Sequence, residues 1–378
     1  MNPKSLSIYV HIPFCARRCA YCDFNTYAWR GGIVRDTLQA ICSHIENAAQ
    51  RDVVVPTVFF GGGTPSFPEP ESVVRILDTI RRHFRVLPDA EISIEVNPGT
   101  ADRARYHLFR QAGFNRLSMG IQSFDDGLLQ KLGRIHSAEE AIRSYEEARR
   151  AGFENVNIDL MFALPDQTLQ QWQRTVRTAV CLQPEHVSCY ALTVEPNTPF
   201  DTLHRQGKLN LPDEETDLRM YQYAIRALSR AGYEHYEISN FAKPGRRCQH
   251  NMVYWRNEEY LGFGPGAVSY WNGVRWTLIR NPRRYVQAVR QGTPPVEEQE
   301  QLDMDASLGE TIMLMLRLRD GVDVKAVENR YGVSLAHRYA RQIERLCKLG
   351  LLQVTPDHWR ITDKGLPIAN TICAEFLA

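Results

Sequence analysis

The sequence predicts an α/β protein: an incomplete (β/α)6-type barrel over residues 1–281, followed by a smaller, mainly helical, winged-helix-like domain over residues 282–378. Three observations predict it. Strand-like runs rich in β-branched and aromatic residues alternate with helical stretches six times before residue 230. The segments QAGF (111–114), RAGF (150–153) and RAGY (230–233) each close a helical stretch just ahead of a strand-like one. Beyond about residue 282 the alternation gives way to closely spaced helices and a short hairpin.

The six runs are SIYVHIPF, VFFGGG, EISIEVNP, RLSMGIQS, NVNIDLMFALP and HVSCYALTVE. Nearly continuous apolar strands separated by helices argue for a parallel sheet covered by helices. Six units fall short of the eight that close a full barrel, so the barrel is expected to be partial. Ser137 and Glu140 make a capping-box pattern ahead of Ile142, Tyr145 and Ala148, and Leu218, Tyr221, Ile225 and Leu228 mark one apolar helix face. Glycine in the three repeats suits a left-handed helix end, with the following aromatic folded back onto the last turn. YEHYEISNFA reads as a seventh strand-like run, and the glycines of LGFGPGAVSY as tight turns. Helices are expected near 307–319, 323–331 and 335–348, then a hairpin from LLQV and HWRIT. A DNA-reading winged helix needs a basic face, but residues 301–378 hold ten Lys/Arg and ten Asp/Glu. A docking or lid role is expected there, and no nucleic acid.

The chain has 378 residues, 43% of them hydrophobic and 24% charged, with a formal net charge of +1. That balance suits a soluble globular protein and gives no electrostatic case for nucleic acid or an anionic membrane. The opening MNPKSLSIYVHIPF lacks the apolar core and small-residue cleavage site of an export signal, and no apolar window has membrane-spanning length. A cytoplasmic protein is expected. Nine cysteines without an export signal read as ligands and buried thiols, not as a disulfide framework.

Three of them cluster in HIPFCARRCAYCDFN: Cys15, Cys19 and Cys22, directly after the first predicted strand. In a βα barrel that is the C-terminal face, where active sites are built. Three thiolates on one loop can hold three irons of a 4Fe-4S cube and leave the fourth iron open to a small chelating molecule. A closed zinc site would need a fourth ligand, for which His11 is the candidate, and a redox disulfide does not match this spacing. Gly61, Gly62, Gly63, Thr64 and Pro65 follow the second strand, where glycine permits close backbone approach to a ligand. The segment is not a phosphate-binding loop, since the lysine and spacing are missing. Glu95, Gln122, Arg134 and Asp159 fall at or near successive strand ends.

The Cys-x3-Cys-x2-Cys loop resembles that of the radical S-adenosylmethionine (SAM) superfamily. The resemblance implies a radical SAM partial barrel, a 4Fe-4S cluster held by Cys15, Cys19 and Cys22, and SAM chelating the fourth iron. Across essentially the whole chain the sequence is similar to the oxygen-independent coproporphyrinogen III oxidase-like family. From that likeness SAM contacts are expected at Tyr9, Tyr21, Gly62, Gly63, Thr64, Glu95, Gln122, Arg134 and Asp159. Arg17 and Arg18, inside the cluster loop, read as solvated or as contacts for an acidic partner or the SAM carboxylate.

Two branches of that family differ. Coproporphyrinogen III dehydrogenases carry a fourth cysteine where this sequence has Phe24, and an N-terminal extension that a first cluster cysteine at position 15 does not accommodate. HNMVYW (250–255) instead resembles the His-Asn-x-x-Tyr-Trp motif of the HemW-type haem chaperones. The resemblance implies haem binding and transfer to haem-requiring proteins, among them membrane-associated respiratory subunits, with an external reductant and a homodimer as further partners. His250 is the expected haem contact, with Cys248 and Tyr254 as lesser candidates, near the barrel mouth and within reach of the C-terminal domain. The plainer reading makes His250 a hydrogen-bonded residue that closes the barrel. The alternative function is oxidative decarboxylation of coproporphyrinogen III to protoporphyrinogen IX.

Overall fold

The computed structural model describes residues 4–28 and 31–377. All six predicted runs are strands: β1 (Ser7–Ile12), β2 (Gln50–Gly62), β3 (Phe84–Val96), β4 (Arg116–Gln122), β5 (Val156–Phe162) and β6 (His186–Ala191). They pair in parallel in the order β6-β5-β4-β3-β2-β1. The helices Gly32–Asn47, Pro70–His83, Arg103–Gln111, Ala138–Arg150, Leu169–Leu182 and Glu214–Arg230 supply the crossovers.

The run at 233–242 splits into β7 (Glu234–Glu237) and β8 (Asn240–Ala242), with β8 antiparallel to β6. A seventh parallel strand comes instead from the glycine-rich stretch: β9 (Tyr260–Phe263) lies parallel to β1 on its free side. It reads as turn because two glycines sit where the backbone is crowded. A Cβ on Gly262 would lie 2.2 Å from the Val268 carbonyl oxygen, and Gly264 has φ +103. Three antiparallel strands follow, β10 (Val268–Trp271), β11 (Val274–Leu278) and β12 (Val296–Gln301). Among the described residues the path therefore runs from β7 to β12 without closing, as a partial barrel should.

Strand alternation sorts the residues by face. Ile8, Val10, Ile12, Ile92, Ile94, Leu117, Met119, Ile158 and Val187 share one continuous buried core with Leu38, Ile76, Phe109, Tyr145, Trp172 and Ala224 of the helices. The alternate positions face inward and many are polar: Glu95, Arg116, Ser118, Asn157, Asp159, His186 and Ser188 all line one internal cavity. A barrel filled by its own side chains carries branched apolar residues there. This one encloses space.

The repeated Gly-aromatic ends behave as predicted. Gly113, Gly152 and Gly232 have φ 96, 92 and 87. The next N–H, of Phe114, Phe153 or Tyr233, reaches back to Phe109, Ala148 or Leu228 at 3.1, 3.2 and 3.1 Å. Each aromatic is buried, which ties helix exit to strand entry. The predicted capping box of Ser137 and Glu140 is formed in both directions.

The helix Pro282–Arg290 packs on Gly32–Asn47, with Tyr285 bonded to His44 (2.9 Å), and β12 joins the large sheet. Beyond it, Met304–Met315, Val324–Tyr331, Leu335–Arg338 and Ala340–Lys348 are helical, the last two separated at Tyr339. The expected hairpin forms from β14 (Leu352–Val354) and β15 (His358–Ile361), joined by β13 (Val322–Asp323) in the order β13-β15-β14. Helices against a small antiparallel sheet give the winged-helix-like shape.

Candidate functional site

The cysteine loop leaves β1 at its C-terminal end. Its path is set by backbone bonds from Gly63 N–H to Ile12 and from Thr64 N–H to Phe14, both 2.9 Å. A Cβ on Gly63 would sit 2.7 Å from the Phe14 carbonyl oxygen, so only glycine permits that approach. On the far side, Ala20 N–H donates to Leu132 at 3.1 Å.

A chain of hydrogen bonds joins two of the sulfurs. Arg134 Nη1 donates to Cys19 Sγ (3.5 Å) and Nη2 to Asn97 Oδ1 (2.7 Å). Asn97 Nδ2 donates to Thr64 Oγ1 (2.8 Å), which donates to Cys15 Sγ (3.6 Å). Burial pushes the Cys15 thiol up to about 11 and raises Cys22 as well. Iron binding must therefore release protons at this loop.

Among the described residues no three His, Cys, Asp or Glu side chains converge where a single ion could sit. A cube does not ask for that, since each thiolate takes its own iron. His11, the candidate fourth ligand of a zinc site, has both ring nitrogens engaged, Nδ1 with Tyr9 (3.0 Å) and Nε2 with the Asn25 carbonyl (3.0 Å).

The cavity measures about 550 Å³, and its lining takes in Cys15, Cys19 and Cys22 with every predicted SAM contact: Tyr9, Tyr21, Gly62, Gly63, Thr64, Glu95, Gln122, Arg134 and Asp159. Burial, and secondarily the Asp159 charge, pushes Glu95 up to about 8, partly offset by the N–H of Gly62 at 3.1 Å. Burial also raises Asp159, which accepts from Ser118 (3.1 Å) and Asn157 (2.7 Å). Gln122 adopts φ 69, and the β4–β5 register shifts between Gly120 and Gln122, which re-aims the strand end. Arg134 keeps a buried Nε without a hydrogen-bond partner. The donor set, the glycine cradle and this unpaired donor all suit a cluster with an amino-acid-bearing ligand on it.

HNMVYW lies in the helix Gln249–Trp255, with Cys248 at its N-cap. Glu91 accepts from the N–H groups of Gln249 (3.2 Å) and His250 (3.1 Å), so a strand carboxylate caps this helix. His250 is buried, with Nδ1 2.8 Å from Thr57 Oγ1 and Nε2 2.9 Å from the Tyr254 hydroxyl. Thr57 lies five residues before Gly62, roughly 16 Å along the strand. The motif thus plugs the barrel floor, at the opposite end from the cysteines, so the expected position of the motif near the mouth is corrected. The capping pull of Glu91 and burial of the aromatics draw the segment under the strands.

Thr57 Oγ1 donates to Ser7 (2.8 Å), so it takes the proton of His250 Nδ1 and leaves Nε2 as the acceptor of the Tyr254 hydroxyl proton. Burial, with Arg116 adding to it, lowers His250 to about 3, keeping it neutral. His250 and Tyr254 both line the cavity, as does Asn251. Cys248 does not: its thiol points to Glu91 Oε1 at 3.6 Å, and burial pushes it up to about 12.

Sequence reasoning did not single out Asn97, Arg116, Asn157 or His186. Asn157 Oδ1 meets His186 Nδ1 (2.6 Å), whose Nε2 meets Tyr236 (2.7 Å), so a polar network crosses the floor. The available signal was alternation: polar residues at every second position of runs taken as continuously apolar.

The Radical SAM superfamily matches residues 9–179, and the HemN C-terminal domain matches residues 302–368. The haem chaperone HemW of Bacillus subtilis is 36% identical over 98% of this chain and 99% of its own length. HemW of Escherichia coli is 37% identical over 99% of this chain and 98% of its own. Among solved structures, the coproporphyrinogen III oxidase HemN of Escherichia coli, a radical SAM enzyme, superimposes with a TM-score of 0.86 at 27% identity, covering 99% of this chain and 90% of that one. Full-length likeness at this identity, on a barrel whose three-cysteine loop opens into an internal cavity, places the chain in the HemW haem chaperone family of the radical SAM superfamily.

Proposed function

We propose that this protein is a haem chaperone that carries a 4Fe-4S cluster and SAM, binds haem and passes it to haem-requiring proteins. One observation carries the reading: a single cavity joins the cysteine rim to the HNMVYW floor. Cys15, Cys19 and Cys22 would hold the cluster, which when bound supplies one-electron chemistry and an open iron. Glu95, the Gly62–Thr64 cradle, Arg134 and the other predicted contacts would seat SAM, and the Arg134–Asn97–Thr64 chain keeps two cysteines in register.

His250 is the proposed haem ligand, with Cys248 and Tyr254 as lesser candidates. Its fixed tautomer leaves the lone pair on Nε2, the arrangement metal-binding histidines use, with Thr57 as the orienting partner. Tyr254 covers that lone pair, so binding requires the hydroxyl to swing away. The branch that decarboxylates coproporphyrinogen III is disfavoured because Phe24, exposed at the cavity edge, stands where its fourth cysteine would be. Among the described residues no helix is long and apolar enough to cross a membrane. A cytoplasmic location, an external reductant, a homodimer and delivery to membrane-associated respiratory subunits complete the proposal.

Haem titration of anaerobically reconstituted protein tests it. His250→Ala should abolish the Soret shift of the wild type, and Tyr254→Phe, which uncovers Nε2, should keep the shift and take up haem faster. Unchanged affinity and spectrum in His250→Ala would remove the motif from the haem site.

A further inference from the structure

The cavity floor carries a cation that the cluster and SAM contacts do not use. Arg116 opens β4, is 1% exposed, and lines the cavity. Its guanidinium is desolvated yet poorly served. Among the described residues its Nε makes no hydrogen bond, neither terminal nitrogen donates one, and its ion pair with Glu91 is 3.9 Å long. Glu91 is committed elsewhere, accepting from the N–H groups of Gln249 and His250 and from the Cys248 thiol. Asp159 is held by Ser118 and Asn157, and Glu95 by Gly62. A buried guanidinium without acceptors is costly, so its fork calls for an acceptor supplied from the cavity.

We propose that the floor is a carboxylate-binding site, in which an entering carboxylate accepts paired N–H bonds from the terminal nitrogens of Arg116 beside His186 and His250. Both rings are uncharged, since burial lowers both histidines, so Arg116 is the cation the anion meets there, in competition with the nearby Glu91 and Asp159 carboxylates. The planar fork matches a carboxylate edge to edge, which an ammonium would not. A propionate arm of a porphyrin and a free short-chain carboxylate share this chemistry. The inference rests on the floor alone and survives if the haem reading fails.

The test titrates full-length, cluster-loaded protein with haem, haem dimethyl ester and propionate, in wild type, Arg116→Lys and the charge-neutral pair Glu91→Gln with Arg116→Met. The lysine keeps the charge but loses the fork; the pair guards against a fold lost to one unpaired buried charge. Haem should bind both variants about tenfold to a hundredfold more weakly, while the ester binds wild type and Arg116→Lys alike. That outcome assigns the site to a porphyrin arm. Propionate that raises the unfolding temperature of wild type but of neither variant assigns it to a free carboxylate, including where haem fails to bind and the chaperone reading falls. Equal affinities for haem and ester in wild type, an unaltered Arg116→Lys and no propionate effect overturn the proposal.

Discussion

Arg317→Ala should be among the more destabilising single substitutions on the C-terminal side of the protein. Glu237 is fully buried, whereas the Arg317 side chain is 24% exposed. Arg317 donates to Glu237 Oε1 from Nε (3.1 Å) and Nη2 (2.9 Å), while Oε2 takes Ser239 N–H (3.0 Å) and Asn240 Nδ2 (2.5 Å). Removing the guanidinium strips Oε1 of both donors and leaves a buried carboxylate half served. Breaking a fully buried pair costs about 3–5 kcal/mol; the partial exposure of Arg317 and the surviving Oε2 bonds bring this to about 2–3 kcal/mol. Arg317 also lies 4.7 Å over the Trp255 ring, a contact that contributes roughly 0.5–1 kcal/mol. The total is about 3 kcal/mol. Urea unfolding followed by tryptophan fluorescence measures it, and Glu237→Gln combined with Arg317→Met, which removes both charges, should recover most of the loss. A cost below about 1 kcal/mol for Arg317→Ala, the range of a solvent-exposed pair, would refute the reasoning.

Two further expectations concern the rim. Glu95 sits near 8 when folded and near the ordinary glutamate value of about 4.3 when unfolded, so between those pH values the folded chain holds a proton that the unfolded chain has lost. Its contribution to stability is therefore lost as pH rises through that window. Glu95→Gln should gain on wild type from pH 5 to pH 8 by on the order of a few kcal/mol in urea midpoints without added SAM, and parallel curves would contradict this. Gly63→Ala places a Cβ within 2.7 Å of the Phe14 carbonyl oxygen and 2.8 Å of its nitrogen, so backbone must move, at a cost of about 1–3 kcal/mol. Iron content after anaerobic reconstitution should fall while far-ultraviolet dichroism stays native; full iron loading would show that the loop tolerates the methyl group.

The sequence discloses what local rules govern. Six parallel strands, three Gly-aromatic helix ends and the Ser137 capping box follow from periodicity and end chemistry, and the cysteine loop from spacing. Long-range placement was hidden. Strand β9 reads as turn because crowding, not looping, requires its glycines. HNMVYW reads as lying near the mouth because nothing local reveals that Glu91, far earlier in the chain, caps its helix. Asn97 and Arg116 went unremarked because their meaning depends on what faces them across the barrel.

The open end of the barrel leaves β12 with an unpaired edge, and its residues VEEQEQ are exposed apart from Val296. Glu300 pairs with Arg275 at 3.0 Å and Glu297 with Arg284 at 3.5 Å, so part of the acidity is anchored while Glu298 remains in solvent. Neighbouring molecules that approach edge to edge meet the charge of Glu298 and a row of charged and polar side chains in place of an apolar strand, which disfavours the templated strand addition that ends in fibrils.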